Sequence, residues 1–99
     1  MTIPENEMTE RLYKVLSELN NPEECKLFFE DLCTIKEILD MSQRLETAQL
    51  LKNGLNYKEI ATKIGVSSAT VSRVNKCLQY GDGGYNKALD LLKKNSRTK

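Results

Sequence analysis

The sequence predicts an all-α protein of about six helices that includes a helix-turn-helix. Only 2 of the 99 residues are proline, and helix-forming residues are common. Apolar residues recur at helical spacing, whereas no stretch alternates convincingly as a half-buried strand would. Residues 57–78 have the pattern of two short helices separated by Gly65. A chain of this length suits one domain, so we expect residues 1–99 to fold as one.

Two amphipathic helices are predicted after a loose tail at residues 1–4. The first runs from about residue 5 to residue 19, and its apolar residues share one face. They are Met8, Leu12, Val15, Leu16 and Leu19. Asn21 is expected to cap the second helix and Pro22 to occupy its first position. This second helix is predicted to end near Leu32.

A long third helix is predicted from Thr34 to about Asn53. Thr34 and Glu37 have capping-box spacing, in which each side chain reaches the backbone N–H of the other residue. Gly54 suits the end of the helix because glycine readily adopts a positive φ. The apolar stripes of these three helices are wide, so we expect each helix to pack within its protomer and against a partner. Residues 1–53 are therefore predicted to be the dimerisation helices.

Residues 56–80 are predicted to form the helix-turn-helix. Asn56 is expected to cap a first helix over residues 57–63, and Gly65 to form the turn. Ser67 is expected to cap the second helix. The apolar or small residues expected where the helices cross are Ile60, Ala61, Ile64, Val66, Val71, Val74 and Leu78.

The other face of the second helix is short, hydroxylated or cationic, which suits entry into a DNA major groove. The candidate DNA-binding residues are Ser67, Ser68, Ala69, Thr70, Ser72, Arg73 and Lys76. The first two serines are expected to hold a phosphate with the amides of the helix N-terminus. Arg73 or Lys76 can bond guanine or phosphate. One such helix contacts few bases, so DNA binding implies a homodimer reading half-sites about 34 Å apart.

Charge is divided unevenly along the chain. Residues 1–50 hold 5 basic and 11 acidic side chains, a net of −6. Residues 51–99 hold 10 basic and 3 acidic side chains, a net of +7. The basic half contains the predicted helix-turn-helix, as a surface that faces phosphates requires.

Several classes of function are disfavoured by the composition. The chain has no histidine, and Cys25, Cys33 and Cys77 lack metal-ligand spacing, so no metal site is expected. These cysteines are interpreted as buried thiols in a reducing cytoplasm. No nucleophile lies beside a base, so an enzyme is not expected. No signal peptide and no apolar run of about 18 residues is seen, so no membrane association is expected.

The end of the chain is predicted to carry one more helix. The glycine-rich residues 81–84 are interpreted as a flexible turn, because phosphate-binding loops of this composition follow a strand. The final helix is predicted over about residues 85–95. Residues 95–99 are expected to be a frayed basic tail near phosphates.

From about residue 12 to residue 92 the chain resembles the tryptophan repressor superfamily, particularly its YerC/YecD-like branch. The landmarks are LCTIKE at 32–37, Arg44, LLKNG at 50–54 and IATKIGVSSATVSR at 60–73. The resemblance implies six helices per chain and an intertwined homodimer whose N-terminal helices share one core. It also implies a transcriptional regulator, most simply a repressor that occludes a promoter.

The resemblance further implies an effector pocket. In the tryptophan repressor the corepressor indole lies between two arginines, which Arg44 and Arg73 match, and Thr34 matches a threonine near the amino-acid site. Two positions depart from the family pattern, since Val74 replaces a glycine and Cys77 replaces a serine. We hypothesise that Val74 fills the groove, so that no cofactor is needed and L-tryptophan does not bind. Alternatively, Arg44 is an ordinary surface arginine and Arg73 a phosphate contact.

Two other interpretations of the helical pair stay open. It can be an ordinary hairpin inside a bundle, or a module that docks on another protein rather than on DNA. Salt-dependent binding to duplex DNA separates these from a DNA-binding regulator, because counterion release produces a steep salt dependence.

Overall fold

The structure is a computed structural model that describes residue 3 and residues 5–97, with side chains as far as residue 94. Six helices and no strand occur in that part of the chain, which confirms the predicted all-α class. Most of the tail predicted at residues 1–4, and residues 98–99 of the basic tail, lie outside the described residues. The chain divides into two compact units, residues 1–38 and 39–99. That residues 1–99 form one domain stays a prediction.

The first unit contains α1 (Glu7–Glu18), α2 (Pro22–Leu32) and the start of α3 (Ile35–Lys52). Helix α1 begins two residues after its predicted start because Asn6 caps it. The Asn6 side chain accepts from the Thr9 backbone N–H at 3.0 Å, and the Thr9 hydroxyl accepts from the Asn6 N–H at 3.0 Å. These two bonds satisfy amides that the first helical turn leaves unpaired.

The caps predicted for the next two helices are confirmed. The Asn21 side chain accepts from the Glu24 N–H at 2.9 Å, and proline follows in the first helical position. Thr34 and Glu37 form the predicted capping box, with bonds of 2.8 and 3.1 Å. The first unit therefore has its helix boundaries set by local side-chain chemistry.

Apolar side chains of α1 and α2 are largely uncovered within the single chain. Neither helix contains a buried residue, and Met8, Val15, Leu27 and Leu32 are all exposed. Leu12 and Leu16 of α1 and Phe28 of α2 are half-buried, so each helix covers part of one face within the chain. That each helix packs within its protomer and against a partner stays a prediction. In the part of the chain that the structure describes, no helix is both long enough and apolar enough to span a bilayer.

In the second unit, α3 ends at a glycine turn that leads into the helix-turn-helix. Gly54 has φ +92°, as expected for its place just after the helix. The Leu55 N–H donates to the Leu50 carbonyl and the Gly54 N–H to the Leu51 carbonyl, each at 3.1 Å. This is a Schellman motif, and it brings Leu55 against the buried Leu50 side chain.

The first helix of the pair is shorter than predicted. Helix α4 (Tyr57–Ile60) has the expected Asn56 cap and passes directly into a π-helical segment, Ala61–Gly65. The predicted single helix over residues 57–63 is thus corrected to one α-helical turn followed by a π-helical one. Gly65 then makes the turn with φ +86°.

The remaining helices are α5 (Ser68–Tyr80) and α6 (Gly84–Arg97). The glycine-rich residues 81–84 lead from one to the other, as predicted. Helix α6 extends beyond its predicted end, so the backbone of residues 95–97 is helical rather than frayed. The Asn86 side-chain amide approaches the Leu78 carbonyl at 3.5 Å and links the two helices.

The buried core of the second unit joins α3 to the helix-turn-helix. Leu50, Ile60 and Val71 form it, and they are at most 7% exposed. Half-buried Leu51, Leu55, Ile64 and Val66 pack around these three side chains. Burying a side chain of this size stabilises the fold by about 1.5–3 kcal/mol. Because Val71 belongs to α5, this core holds α5 against α3 and α4.

Candidate nucleic-acid interface

Helix α5 begins at a serine cap. The Ser67 Oγ accepts from the Thr70 backbone N–H at 3.1 Å and lies 3.0 Å from the Thr70 Oγ1. The prediction that Ser67 caps the second helix is confirmed. The Ser68 hydroxyl takes no part in this cap, which is formed by the Ser67 and Thr70 side chains.

Two opposite faces of α5 differ sharply in burial. The predicted inner face of α5, which we call the apolar seam, consists of Val71, Val74 and Leu78. Val71 and Val74 are 0% and 2% exposed, as predicted, whereas Leu78 is half-buried. The opposite face is open to solvent, and Thr70 alone among the candidate DNA-binding residues is half-buried. The exposed candidates are Ser67, Ser68, Ala69, Ser72, Arg73 and Lys76. The structure thus brings them together on one surface, which we call the recognition face; their contact with DNA stays a prediction.

The recognition face carries uncompensated positive charge. No acidic residue occurs between Glu59 and Asp82 in the sequence. The Glu59 carboxylate accepts from the Asn56 N–H at 3.1 Å as part of the α4 cap. Within the described part of the chain, neither Arg73 nor Lys76 forms a salt bridge with a carboxylate. Both cations are therefore available to an anionic partner such as a DNA backbone.

One hydrogen bond joins the two helices of the pair at the edge of this face. The Asn75 side-chain amide donates to the Tyr57 hydroxyl oxygen at 2.8 Å. The sequence pattern singles out neither residue. The two lie 18 positions apart, so no local pattern signals their contact.

The residues of the predicted effector pocket differ in burial and do not all belong to the same unit. Thr34 belongs to the first unit and caps α3. In the second unit Arg44 is half-buried, Val74 is buried and Cys77 is exposed. The prediction of a buried thiol is therefore wrong at Cys77, because this position faces away from the Val71 and Val74 seam. That these residues form an effector pocket stays a prediction.

Tyr85, to which the sequence pattern gives no role, lies within electrostatic reach of both arginines. Burial raises the pKa of the Tyr85 hydroxyl above its ordinary value of 10.0. The positive charge of Arg44 opposes that shift, Cys77 adds to it, and Arg73 opposes it. Helix α3 thus brings Arg44 to this neighbourhood, α5 brings Arg73 and Cys77, and α6 brings Tyr85 itself. Among the described residues no group of three or more metal-ligating side chains occurs.

The fold and the recognition face together define a helix-turn-helix protein. The family model described as Trp repressor protein matches residues 7–93. The chain therefore belongs to the Trp repressor family, whose members are DNA-binding regulators with this all-helical fold, and the resemblance drawn from the sequence is confirmed.

Individual relatives agree with this assignment. The chain is 48% identical over 84 residues to YerC of Bacillus subtilis (strain 168), a protein described as uncharacterized, covering 85% of this chain and 81% of YerC. It is similar to a crystal structure of a candidate Trp repressor from Staphylococcus aureus, with a TM-score of 0.85 and 40% identity over 90% of this chain and 89% of that one. A TrpR-like protein from Eubacterium eligens ATCC 27750 has a TM-score of 0.84 and 43% identity, over 89% of this chain and 91% of that one.

Proposed function

We propose that this protein is a transcriptional repressor that binds specific duplex DNA as a homodimer. The recognition face of α5 enters the major groove, and the protein acts in the cytoplasm by occluding a promoter. The single observation that carries the proposal is the exposed recognition face, on which Arg73 and Lys76 pair with no carboxylate of the described residues, opposite the buried Val71 and Val74. A helix held this way can present side chains to base edges without losing its packing.

Uncovered apolar side chains in the first unit support the homodimer. Met8, Val15, Leu27 and Leu32 are between 42% and 70% exposed on two helices that have no fully buried residue. Several large exposed apolar side chains on two neighbouring helices of the sequence would be covered by a partner. A second copy of the chain is the partner that the family fold favours, and it would supply the second recognition helix.

The proposed mechanism needs no corepressor. Val74 is 2% exposed and belongs to the apolar seam that seats α5 on the rest of the second unit. By the family resemblance, a bound indole would pass the position that Val74 occupies, and the Val74 side chain already fills that volume. The position of the recognition helix is therefore set by the chain's own packing rather than by L-tryptophan.

The decisive experiment is selection of binding sites by the full chain from random duplex DNA, followed by affinity measurements at several salt concentrations. We expect a palindromic site and a steep fall in affinity with salt, since several phosphates are neutralised on binding. Analytical ultracentrifugation checks that the free protein is a dimer. If no sequence is enriched and no salt-dependent binding is found, the proposal fails. The helical pair would then be better explained as a module that docks on another protein.

A further inference from the structure

We propose that Tyr57, held by Asn75, donates a hydrogen bond to a phosphate of the DNA backbone at the border of the recognition face. This inference rests on the proposed function and extends the interface from α5 to α4. It assigns a role to a pair of residues that the sequence pattern does not single out.

Within the described residues, the Tyr57 hydroxyl accepts one hydrogen bond and donates none. The Asn75 amide donates to the Tyr57 oxygen at 2.8 Å, so in this bond the phenol acts as acceptor. A tyrosine hydroxyl also carries one proton that it can donate. Tyr57 as a whole is 38% exposed, so part of this residue lies at the protein surface. The bond from Asn75 holds the phenol in this position.

The position of Asn75 on α5 places this O–H beside the recognition face. Asn75 follows Ser68 by seven residues and Ser72 by three, and residues at these spacings lie in one row along a helix. Ser68 and Ser72 are both exposed. The phenol oxygen, 2.8 Å from the Asn75 nitrogen, therefore borders the row of short side chains that would approach the bases.

The charges near the pair favour an anion as the acceptor. Lys58 follows Tyr57 and Lys76 follows Asn75, and both lysines are exposed. The nearby Glu59 carboxylate is already bonded to the Asn56 N–H. A group at the border of a helix in the major groove meets the phosphate backbone rather than base edges, and tyrosine hydroxyls are among the usual phosphate donors. The contact is neutral, so it adds affinity without releasing an extra counterion.

The test compares the wild type with Tyr57→Phe on the duplex selected by the wild type and on an unrelated duplex of equal length. We expect about a tenfold loss of affinity on both duplexes, because a hydrogen bond to a charged group is lost. The dependence of affinity on salt should keep its wild-type slope. Tyr80→Phe is the matched control, since Tyr80 lies at the end of α5, is 83% exposed and should bind as the wild type does.

A double-mutant cycle and a phosphate substitution separate this contact from a purely structural bond. Asn75→Ala should weaken DNA binding in the wild type but have no further effect in the Tyr57→Phe background. Each protomer of the proposed homodimer would contact its own phosphate, so symmetry-related pairs of phosphates, one in each half-site, are replaced by neutral methylphosphonates. One such pair should be found at which wild type and Tyr57→Phe bind equally.

The inference is overturned if Tyr57→Phe binds both duplexes as tightly as the wild type. It is also overturned if no replacement of a symmetry-related pair of phosphates removes the difference. A wild type that binds no duplex at all would instead remove the proposed function, and this inference with it.

Discussion

The Oγ of Ser67 lies 3.1 Å from the backbone nitrogen of Thr70 and accepts its hydrogen bond at the start of α5. This cap stabilises the recognition helix at the end that faces the proposed ligand. Ser67 therefore contributes both to folding and to the surface, and substitutions at this position can separate the two contributions.

Replacing Ser67 tests both contributions. Ser67→Ala should lower the free energy of unfolding by about 1 kcal/mol, because the cap is lost. Ser67→Asn and Ser67→Asp should both retain the cap, since their side chains accept from the same N–H. Only Ser67→Asp adds a negative charge, so it should fold like Ser67→Asn but bind DNA far more weakly. Equal DNA affinity of the Asn and Asp variants would show that this end of α5 does not approach phosphates.

The turn glycine gives a second prediction, on stability. Gly65 has φ +86°, and no atom lies within 4 Å of the place that an added Cβ would take, so Gly65→Ala strains the backbone without a clash. We expect a loss of about 1–2 kcal/mol in the free energy of unfolding. Gly84→Ala is the matched control, because Gly84 also has open space, begins α6 and has no positive φ. Denaturant unfolding should show Gly84→Ala at or above wild-type stability.

Helix boundaries set by a cap can largely be predicted from the sequence. Asn21, Thr34, Asn56 and Ser67 are all predictable, because a cap depends on residues two or three positions apart. The capping box at Asn6 was not predicted, because its second residue is Thr9 rather than the usual glutamate or glutamine. Local chemistry of this kind is visible in one sequence.

Features that depend on packing between distant residues could not be predicted. The π-helical segment Ala61–Gly65 has a wider turn that the apolar spacing of the sequence does not signal. The bond between Tyr57 and Asn75, and the approach of Tyr85 to Arg44, join residues far apart in the chain. The seam of α5 was predictable because periodicity alone determines which residues face inward.

The capping box of α3 leads to a prediction on pH. Bonds from the Thr34 backbone N–H and then the Thr34 side chain hold the pKa of Glu37 below its ordinary value of 4.5. A carboxyl whose pKa is lowered by folding stabilises the fold above its unfolded pKa, and that contribution is lost as the pH falls through the folded pKa. NMR titration should therefore place the Glu37 midpoint below 4.5. Thr34→Val, which keeps the backbone donor, should raise this midpoint only in part; a wild-type midpoint at or above 4.5 would contradict the assignment.

The buried position of Val74 predicts that L-tryptophan does not bind. Isothermal titration calorimetry of the wild type with L-tryptophan should show no binding heat, whereas clear micromolar affinity would overturn the hypothesis.

Val74→Ala should lower the free energy of unfolding by about 2 kcal/mol, because removing part of a fully packed side chain leaves a cavity. Ser72→Ala, on the exposed face of the same helix, is the control and should change stability by less than about 0.5 kcal/mol.

Lys76 allows the phosphate contacts of the recognition face to be counted. It is exposed on α5, and within the described part of the chain it pairs with no carboxylate. Lys76→Ala should weaken binding to selected and unrelated duplexes by similar factors and reduce the slope of log affinity against log salt by about one unit for each protomer bound. Lys26→Ala is the control, because Lys26 is equally exposed but lies on α2 in the acidic half of the chain. An unchanged slope for Lys76→Ala would exclude this lysine from the phosphate contacts. Only a lysine at the interface displaces a counterion from the bound DNA, so Lys26→Ala should keep the wild-type slope. A reduced slope for both variants would mean that the effect follows the net charge of the protein and not the position of the lysine.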